Sequence, residues 1–364
     1  MMLYLIPLRK KKMLARVMLA SLIALSLVTM SGCASLFGVK QTVSVPPLLG
    51  PLSEASMPQL IAEVNRLAAV RSIRGKVDIE FQDTSFAESG LAEKYRTADG
   101  TVILQRPGQI NLRIQAPFVG TNIAEMTSDG TQFRVAVLQG EEKFRRFVRG
   151  TNDADYQKMV VENGQANGNG KDQKKNNALN EKRAVSVLSN LRPQHFTDAL
   201  LIRPVQSREE SGMVYARSEF YLEEADTRPR AKKGSRVVRG YYLLEELAPG
   251  GEGGARLMRR FWFDRVGGIR LARLQTFDAQ GTLLTDVLYS EQKNFGEDGR
   301  IQLPSRVELT RPQDRYKLRL SYQAPEAVVI DRQYDAEIFL LENKWQLPEV
   351  DLDKRESGRT ISKQ

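Results

Sequence analysis

Ile110-Asn111-Leu112-Arg113-Ile114-Gln115 alternates apolar and polar side chains between the turn Arg106-Pro107-Gly108 and the corner Ala116-Pro117-Phe118-Val119-Gly120. Successive side chains of an extended chain point to opposite faces, so this period of two predicts a strand with one face on a core and the other in water. The pattern spreads in both directions. Upstream, Val77, Ile79 and Phe81 alternate with Lys76, Asp78 and Glu80, and Val102 and Leu104 lead into the Arg-Pro-Gly turn. Downstream, Ser128-Asp129-Gly130 turns the chain into Phe133, Val135 and Val137, and Gly140 leads toward Phe144 to Val148. Short turns without crossover helices predict an antiparallel meander.

Ahead of the first strand, Leu60, Ile61, Val64, Leu67 and Ala68 make an apolar stripe at helical spacing over Gln59 to Arg71, with Pro58 suited to open the helix. Such a helix should lie on the sheet. Residues 151–182 break the pattern with Asn, Gly, Gln and Lys and read as a surface insertion. From Ala184 to Leu201 the apolar residues predict one or two short helices interrupted near Pro193. Strands then resume at Met213 to Leu222, Val237 to Leu247, Ala255 to Phe263, Ile269 to Phe277, Leu283 to Ser290, Arg306 to Leu309 and Tyr316 to Tyr322. Further apolar residues follow from Ala327 to Leu352, then a charged tail at 353–364.

The N-terminus has a different organisation. Arg9, Lys10, Lys11, Lys12 and Arg16 precede an uncharged run from Val17 to Met30, the order of a secretory signal. Fourteen residues reach only about 21 Å as a helix, short of the roughly 30 Å hydrocarbon core, so a permanent span is the weaker reading. Met30-Ser31-Gly32-Cys33 resembles the bacterial lipobox. That resemblance implies removal of residues 1–32 and acylation of Cys33, by palmitate or related chains, to anchor the protein. An ordinary cleaved signal with an incidental cysteine is the alternative. Ala34 stands where an Asp would signal retention in the inner membrane, which favours the outer membrane facing the periplasm. Residues 33–57, rich in Pro, Ser and Gly from Gln41, would tether the lipid to a domain at 58–352.

Composition narrows the chemistry. The formal charge of +10 falls to +5 once the signal is removed, with 49 basic against 44 acidic residues. An exported protein rarely meets nucleic acid, so no nucleic-acid partner is expected. Cys33 is the sole cysteine and His195 the sole histidine. With Cys33 acylated, no disulfide and no His/Cys metal site are expected, and His195 reads as structural. The Gly250-Gly251-Glu252-Gly253-Gly254 run lacks phosphate-loop spacing and reads as a hairpin tip. No carboxylate pair stands out for acid–base catalysis, and neither cofactor nor metal is expected. Arg228, Arg230, Lys232, Lys233, Arg236 and Arg239 form a run of cations without an intervening acid. It predicts a solvated hairpin region, either merely soluble or in contact with anionic headgroups.

Taken in order and spacing, Arg106-Pro107-Gly108, the alternating Ile110 to Ile114, the Ala116 to Gly120 corner and the Ser128-Asp129-Gly130 turn resemble the LolA/LolB lipoprotein-localisation superfamily. The preceding helix, the mid-chain helices, Leu303-Pro304-Ser305-Arg306-Val307-Glu308-Leu309 and Tyr316-Lys317-Leu318-Arg319-Leu320 extend the resemblance from about Pro58 to Tyr322. It implies a mainly β fold with covering helices: an open, curved antiparallel half-barrel around an apolar cavity. The cavity lining would include Leu104, Ile110, Leu112, Ile114, Phe133, Val135 and Val137. By the same resemblance Arg106, at the turn with Pro107, would bond to lid helices, with a solvated turn as the alternative. Phe118 and Val119 would contact membrane or cargo, or else close one end of the core.

These features predict a non-enzymatic envelope lipoprotein. Its partners would be membrane lipid or lipoprotein acyl chains, the membrane through its anchor, and a periplasmic carrier or envelope protein. Two rivals stand beside it. One is an envelope scaffold of the same fold with a filled core and a protein partner; the other is an Asp/Glu-dependent hydrolase.

Overall fold

The computed structural model describes residues 45–84, 93–94, 97–117, 120–140, 142, 145–152, 192–250 and 253–354. The signal segment, Cys33, Phe118, Val119 and nearly all of the 151–182 insertion lie outside the described residues. The folded unit begins at Leu48.

Helix α1 spans Met57–Ala68, with Pro58 in its first turn and the Ser56 amide donating to Gln59 Oε1 at 2.7 Å. Leu60, Val64 and Leu67 are its buried face and pack toward the sheet. Burying each is worth roughly 1.5–3 kcal/mol, against about 0.5–1.5 kcal/mol for one hydrogen bond, so the apolar stripe sets the helix's seat. The strands are β1 Ser72–Asp83, β2 Glu93–Lys94, β3 Ala98–Gln105, β4 Gln109–Gln115, β5 Asn122–Asp129, β6 Gln132–Val137 and β7 Arg146–Thr151. After helices α2 Pro193–Leu200 and α3 Arg208–Ser211 come β8 Val214–Ala225, β9 Arg236–Pro249, β10 Ala255–Asp264, β11 Arg270–Phe277, β12 Leu283–Phe295, β13 Ile301–Arg311 and β14 Tyr316–Tyr322. Two short strands close the set, β15 Val329–Ile330 and β16 Glu349–Asp351.

Among the described residues these strands join one open, curved sheet ordered β16-β7-β6-β5-β4-β3-β1-β14-β13-β12-β11-β10-β9-β8. Strand β1 is the junction between two meanders. Its Val77 faces Gly100 of β3 on one side and Tyr322 of β14 on the other. The meander β3–β7 runs outward from one edge of β1, and β14 back to β8 from the other. The Arg106-Pro107-Gly108 and Ser128-Asp129-Gly130 turns lie against each other. Gly130 has φ +100°, and a Cβ there would sit 2.7 Å from the Pro107 carbonyl oxygen, so no larger residue fits without movement.

Three parts of the chain depart from the expectation. The tether was expected to continue to residue 57, yet the folded unit starts about ten residues before the expected boundary at 58. Leu48 bridges Val238, Leu52 bridges Val266, and Leu49 is buried. Pro and Gly there prevent regular structure without preventing attachment. Strands β12 and β13 extend to Phe295 and back to Ile301, through Pro304, which lies opposite Gln292. Finally, the segment after β14 is a strap across the outer face. Gln105 Nε2 donates to the Tyr334 carbonyl at 3.1 Å and Asn111 Nδ2 to that of Ile338 at 2.7 Å. Phe339 is fully buried, and β16 then pairs parallel with β7. Outward-facing Glu125, Thr127, Ala136 and Phe147 are buried as a result.

Candidate functional site

The inner face of the β3–β7 meander is an apolar floor. Leu104, Ile110, Leu112, Ile114, Phe133, Val135 and Val137 are each no more than 5% exposed, in the alternating pattern their strands dictate. Helix α2 lies over this floor, against β4, β5 and β13. Pro193 opens the helix in its first turn, where a missing amide hydrogen costs nothing. Phe196, at 1% exposure, and Ala199 supply its apolar contacts.

His195 of the same helix is buried, with Nδ1 2.7 Å from the Tyr316 hydroxyl. Burial first, then the charges of Arg311 and Arg192, holds its pKa well below the ordinary value and keeps the ring neutral. The unfolded chain would take up a proton near the ordinary value of about 6.5, and the folded one would not. Stability should therefore fall as pH drops through about 6.5 toward the depressed value, with a slope approaching about 1.4 kcal/mol per pH unit. Urea unfolding between about pH 7 and about pH 5 measures this, and His195→Gln should lose that component. An identical pH slope in both proteins would show that His195 is not held neutral.

The chain leaving α2 carries the most distinctive feature of the interior. Residues Leu201 to Gln206 form neither helix nor strand, so their carbonyls need partners from elsewhere. Arg106 donates Nη1 to the Leu201 carbonyl at 3.4 Å and Nη2 to that of Ile202 at 2.7 Å. Its Nε donates to Val70 O, just beyond α1, at 2.9 Å. Arg259 of β10 donates to the carbonyls of Arg203 at 2.8 Å and Pro204 at 3.0 Å. Asn65 of α1 donates to the Val205 carbonyl at 3.1 Å and accepts from its amide at 2.8 Å. Five consecutive carbonyls are thus held by three side chains from separate elements. The fork of a guanidinium suits this work because each of its N–H groups points to a different acceptor. Arg259 is oriented in turn by a buried ion pair with Glu246 of β9.

Pro107 stands beside Arg106 in a cis peptide bond, at an open cleft shared with Asp198 and Arg203. At the β8–β9 end the inner face is charged. The guanidinium groups of Arg217 and Arg265 lie 4.2 and 4.3 Å from the Tyr242 ring centre, and Tyr242 and Arg265 both donate to Glu54. That cluster fixes the segment before α1. Between α1, the end of α2 and strands β12–β14 lies an apolar cavity of about 30 Å³, bordered by Leu67, Leu200, Ile202, Tyr289, Leu303 and Tyr322. It has room for about one water, whereas a ligand pocket spans about 300–1,000 Å³. Phe196 of α2 and the floor residues leave no more than 5% of their surface accessible, so an acyl chain entering between them would have to displace the helix.

Sequence reading singled out Arg106 and the apolar floor and missed Arg259, Glu246 and Asn65. A signal was present: Arg259 shares strand parity with Phe261 and Phe263, and Glu246 with Tyr242 and Leu244, so both charges stand on the apolar face. Among the described residues, no helix is long and apolar enough to cross a membrane, and no three His, Cys, Asp or Glu residues are grouped to hold a metal.

No family model and no curated protein matches the sequence. Solved structures do match. One is a LolA superfamily protein from Nitrosomonas europaea, with 13% identity, 79% of this chain and 99% of that chain covered, and a TM-score of 0.36. A DUF1329 family protein from Desulfovibrio piger has 12% identity, coverage of 78% and 95%, and a TM-score of 0.38. An outer membrane lipoprotein-sorting protein domain from Vibrio parahaemolyticus has 9% identity, coverage of 77% and 94%, and a TM-score of 0.35. The open curved sheet with helices on its inner face is established by this chain's own strands, and it is in fold that the chain is similar to these LolA superfamily and lipoprotein-sorting structures.

Proposed function

We propose that this chain is an envelope lipoprotein that accepts an acyl chain, from a lipid or from another lipoprotein, between helix α2 and the apolar floor of β3–β7. The observation that carries the reading is the way α2 is held. A short helix covers a broad apolar face, and its exit segment is fastened by exchangeable hydrogen bonds from Arg106, Arg259 and Asn65. Such a lid opens by trading those bonds for water, and an entering acyl chain replaces the apolar contacts it loses. No covalent step is involved. The neighbouring lipoprotein-sorting structures are consistent with cargo of this kind.

Mass spectrometry of lipids co-purifying with the protein, together with uptake of a fluorescent fatty acid, tests the proposal. Bound lipid or saturable uptake is expected; repeated absence of both would end it. The burial of Phe196 and of the floor residues favours one rival, a scaffold with a filled interior whose partner is another envelope protein. A stable protein complex recovered from a chain that takes up no lipid would select the scaffold.

The anchor is proposed from the Met30-Ser31-Gly32-Cys33 sequence, with outer-membrane placement from Ala34. Cys33→Ser should leave an uncleaved precursor or a soluble protein, read by mass and by fractionation. A processed protein that still needs detergent would show that the attachment is elsewhere.

A further inference from the structure

The cationic run at the β8–β9 hairpin divides into two groups. Arg228 pairs with Asp226 at 2.8 Å, Arg236 with Glu223, and Arg239 with both Glu224 and Asp264. The hydrogen bond from Arg228 lowers the Asp226 pKa to about 2, so that acid is fully committed to its partner. Arg230, Lys232 and Lys233 are exposed at the tip and have no ion-pair partner among the described residues. Three unneutralised charges within four residues make a patch that an anionic surface would meet directly.

The same end of the hairpin is where the chain enters the folded unit. Strand β10 pairs with β9 only from Tyr241 onward, and the place beside the first residues of β9 is taken by Leu48 to Leu52. Leu48 bridges Val238 and is 54% exposed. Ser235, at the base of the tip, is three residues from Val238, or about 10 Å along a strand. The fifteen residues from Cys33 to Leu48 span at most about 50 Å when fully extended. A lipid anchor at Cys33 therefore keeps the entry point, and the tip beside it, near the bilayer at a high effective concentration.

We propose that the β8–β9 tip, through Arg230, Lys232 and Lys233, docks on the anionic phospholipid headgroups of the membrane that holds the anchor. The proposal rests on the anchored reading given above. Docking would fix the hairpin end of the half-barrel against the bilayer and restrict the domain's rotation on its tether.

The test uses the full chain with Ala231→Cys, labelled with an environment-sensitive dye and reconstituted into vesicles. An acylated Cys33 has no free thiol, so one dye per chain together with the mass of an acylated N-terminus at Cys33 confirms the anchor. Two dyes would refute the anchor, and the tip would then be read from the Ala231→Cys, Cys33→Ser chain. The dye signal should rise on vesicles containing phosphatidylglycerol and not on phosphatidylcholine alone. Occupancy of the docked state should fall about fivefold for each cation replaced by glutamine, and on the order of a hundredfold for Arg230→Gln, Lys232→Gln and Lys233→Gln together. Raised salt should produce a similar loss, because these charges are exposed. Unfolding of the triple variant should be unchanged, since its side chains make no partner contacts. Equal signals on the two vesicle types, no effect of the triple substitution, or a response only to an added acidic protein would each overturn the proposal.

Discussion

Glu246→Leu is expected to destabilise the fold by about 3–5 kcal/mol, because it leaves the Arg259 guanidinium buried without its counter-charge. The two side chains are only 9% and 10% exposed, so solvent screens the pair weakly. Arg259 would keep the carbonyls of Arg203 and Pro204, but neutral carbonyls do not replace a carboxylate. Glu246→Leu combined with Arg259→Met removes both charges and should recover much of the loss. It should also leave two lid-segment carbonyls without donors. Denaturant unfolding measures the first effect, and faster hydrogen exchange across 201–206 in the double variant measures the second. A Glu246→Leu protein as stable as the parent would mean that water reaches this pair and that Arg259 does not hold the lid segment.

The sequence was informative where one face of a strand is buried against one partner. Gln109–Gln115 and Tyr316–Tyr322 carry strict alternation, and each proved a strand with that parity inside. Helix α1 was legible for the same reason, since Leu60, Val64 and Leu67 return to one side. The strap from Asp331 to Leu347 was not. Its attachment runs through side-chain bonds to backbone, such as Asn111 to Ile338, and these leave no period in the sequence. Two further features were shorter in the sequence than in the structure: the strand expected from Arg306 to Leu309 in fact runs from Ile301 through Pro304, and the Pro- and Gly-rich stretch expected to be a tether attaches from Leu48. Arg259 and Glu246 were missed because a charge in a strand is ordinarily on the wet face. Their parity with neighbouring aromatic residues points the other way, and only the lid segment supplies the reason.

Phe196→Ala distinguishes a ligand chamber from a filled scaffold core. Phe196 is 1% exposed and belongs to the only helix described over the β4–β5 floor, so its truncation should cost about 3–5 kcal/mol in transfer and cavity terms. The void would be apolar and would lie close to the existing 30 Å³ cavity, whose wall includes Leu200 of the same helix. An apolar cavity of this type stays dry and accepts hydrocarbon. If α2 is a lid over an acyl site, the weakened lid should open more readily, and fatty acid at a hundred times its dissociation constant should restore about 2.7 kcal/mol. The parent protein should gain stability from the same ligand, though with slower uptake, because its lid must first be displaced. In a scaffold the mutation would cost as much, and the parent would gain nothing from fatty acid. Unfolding curves of both proteins with and without the fatty acid therefore decide the matter: stabilisation of the parent supports the lid, and its absence at saturating ligand assigns α2 to a permanent core.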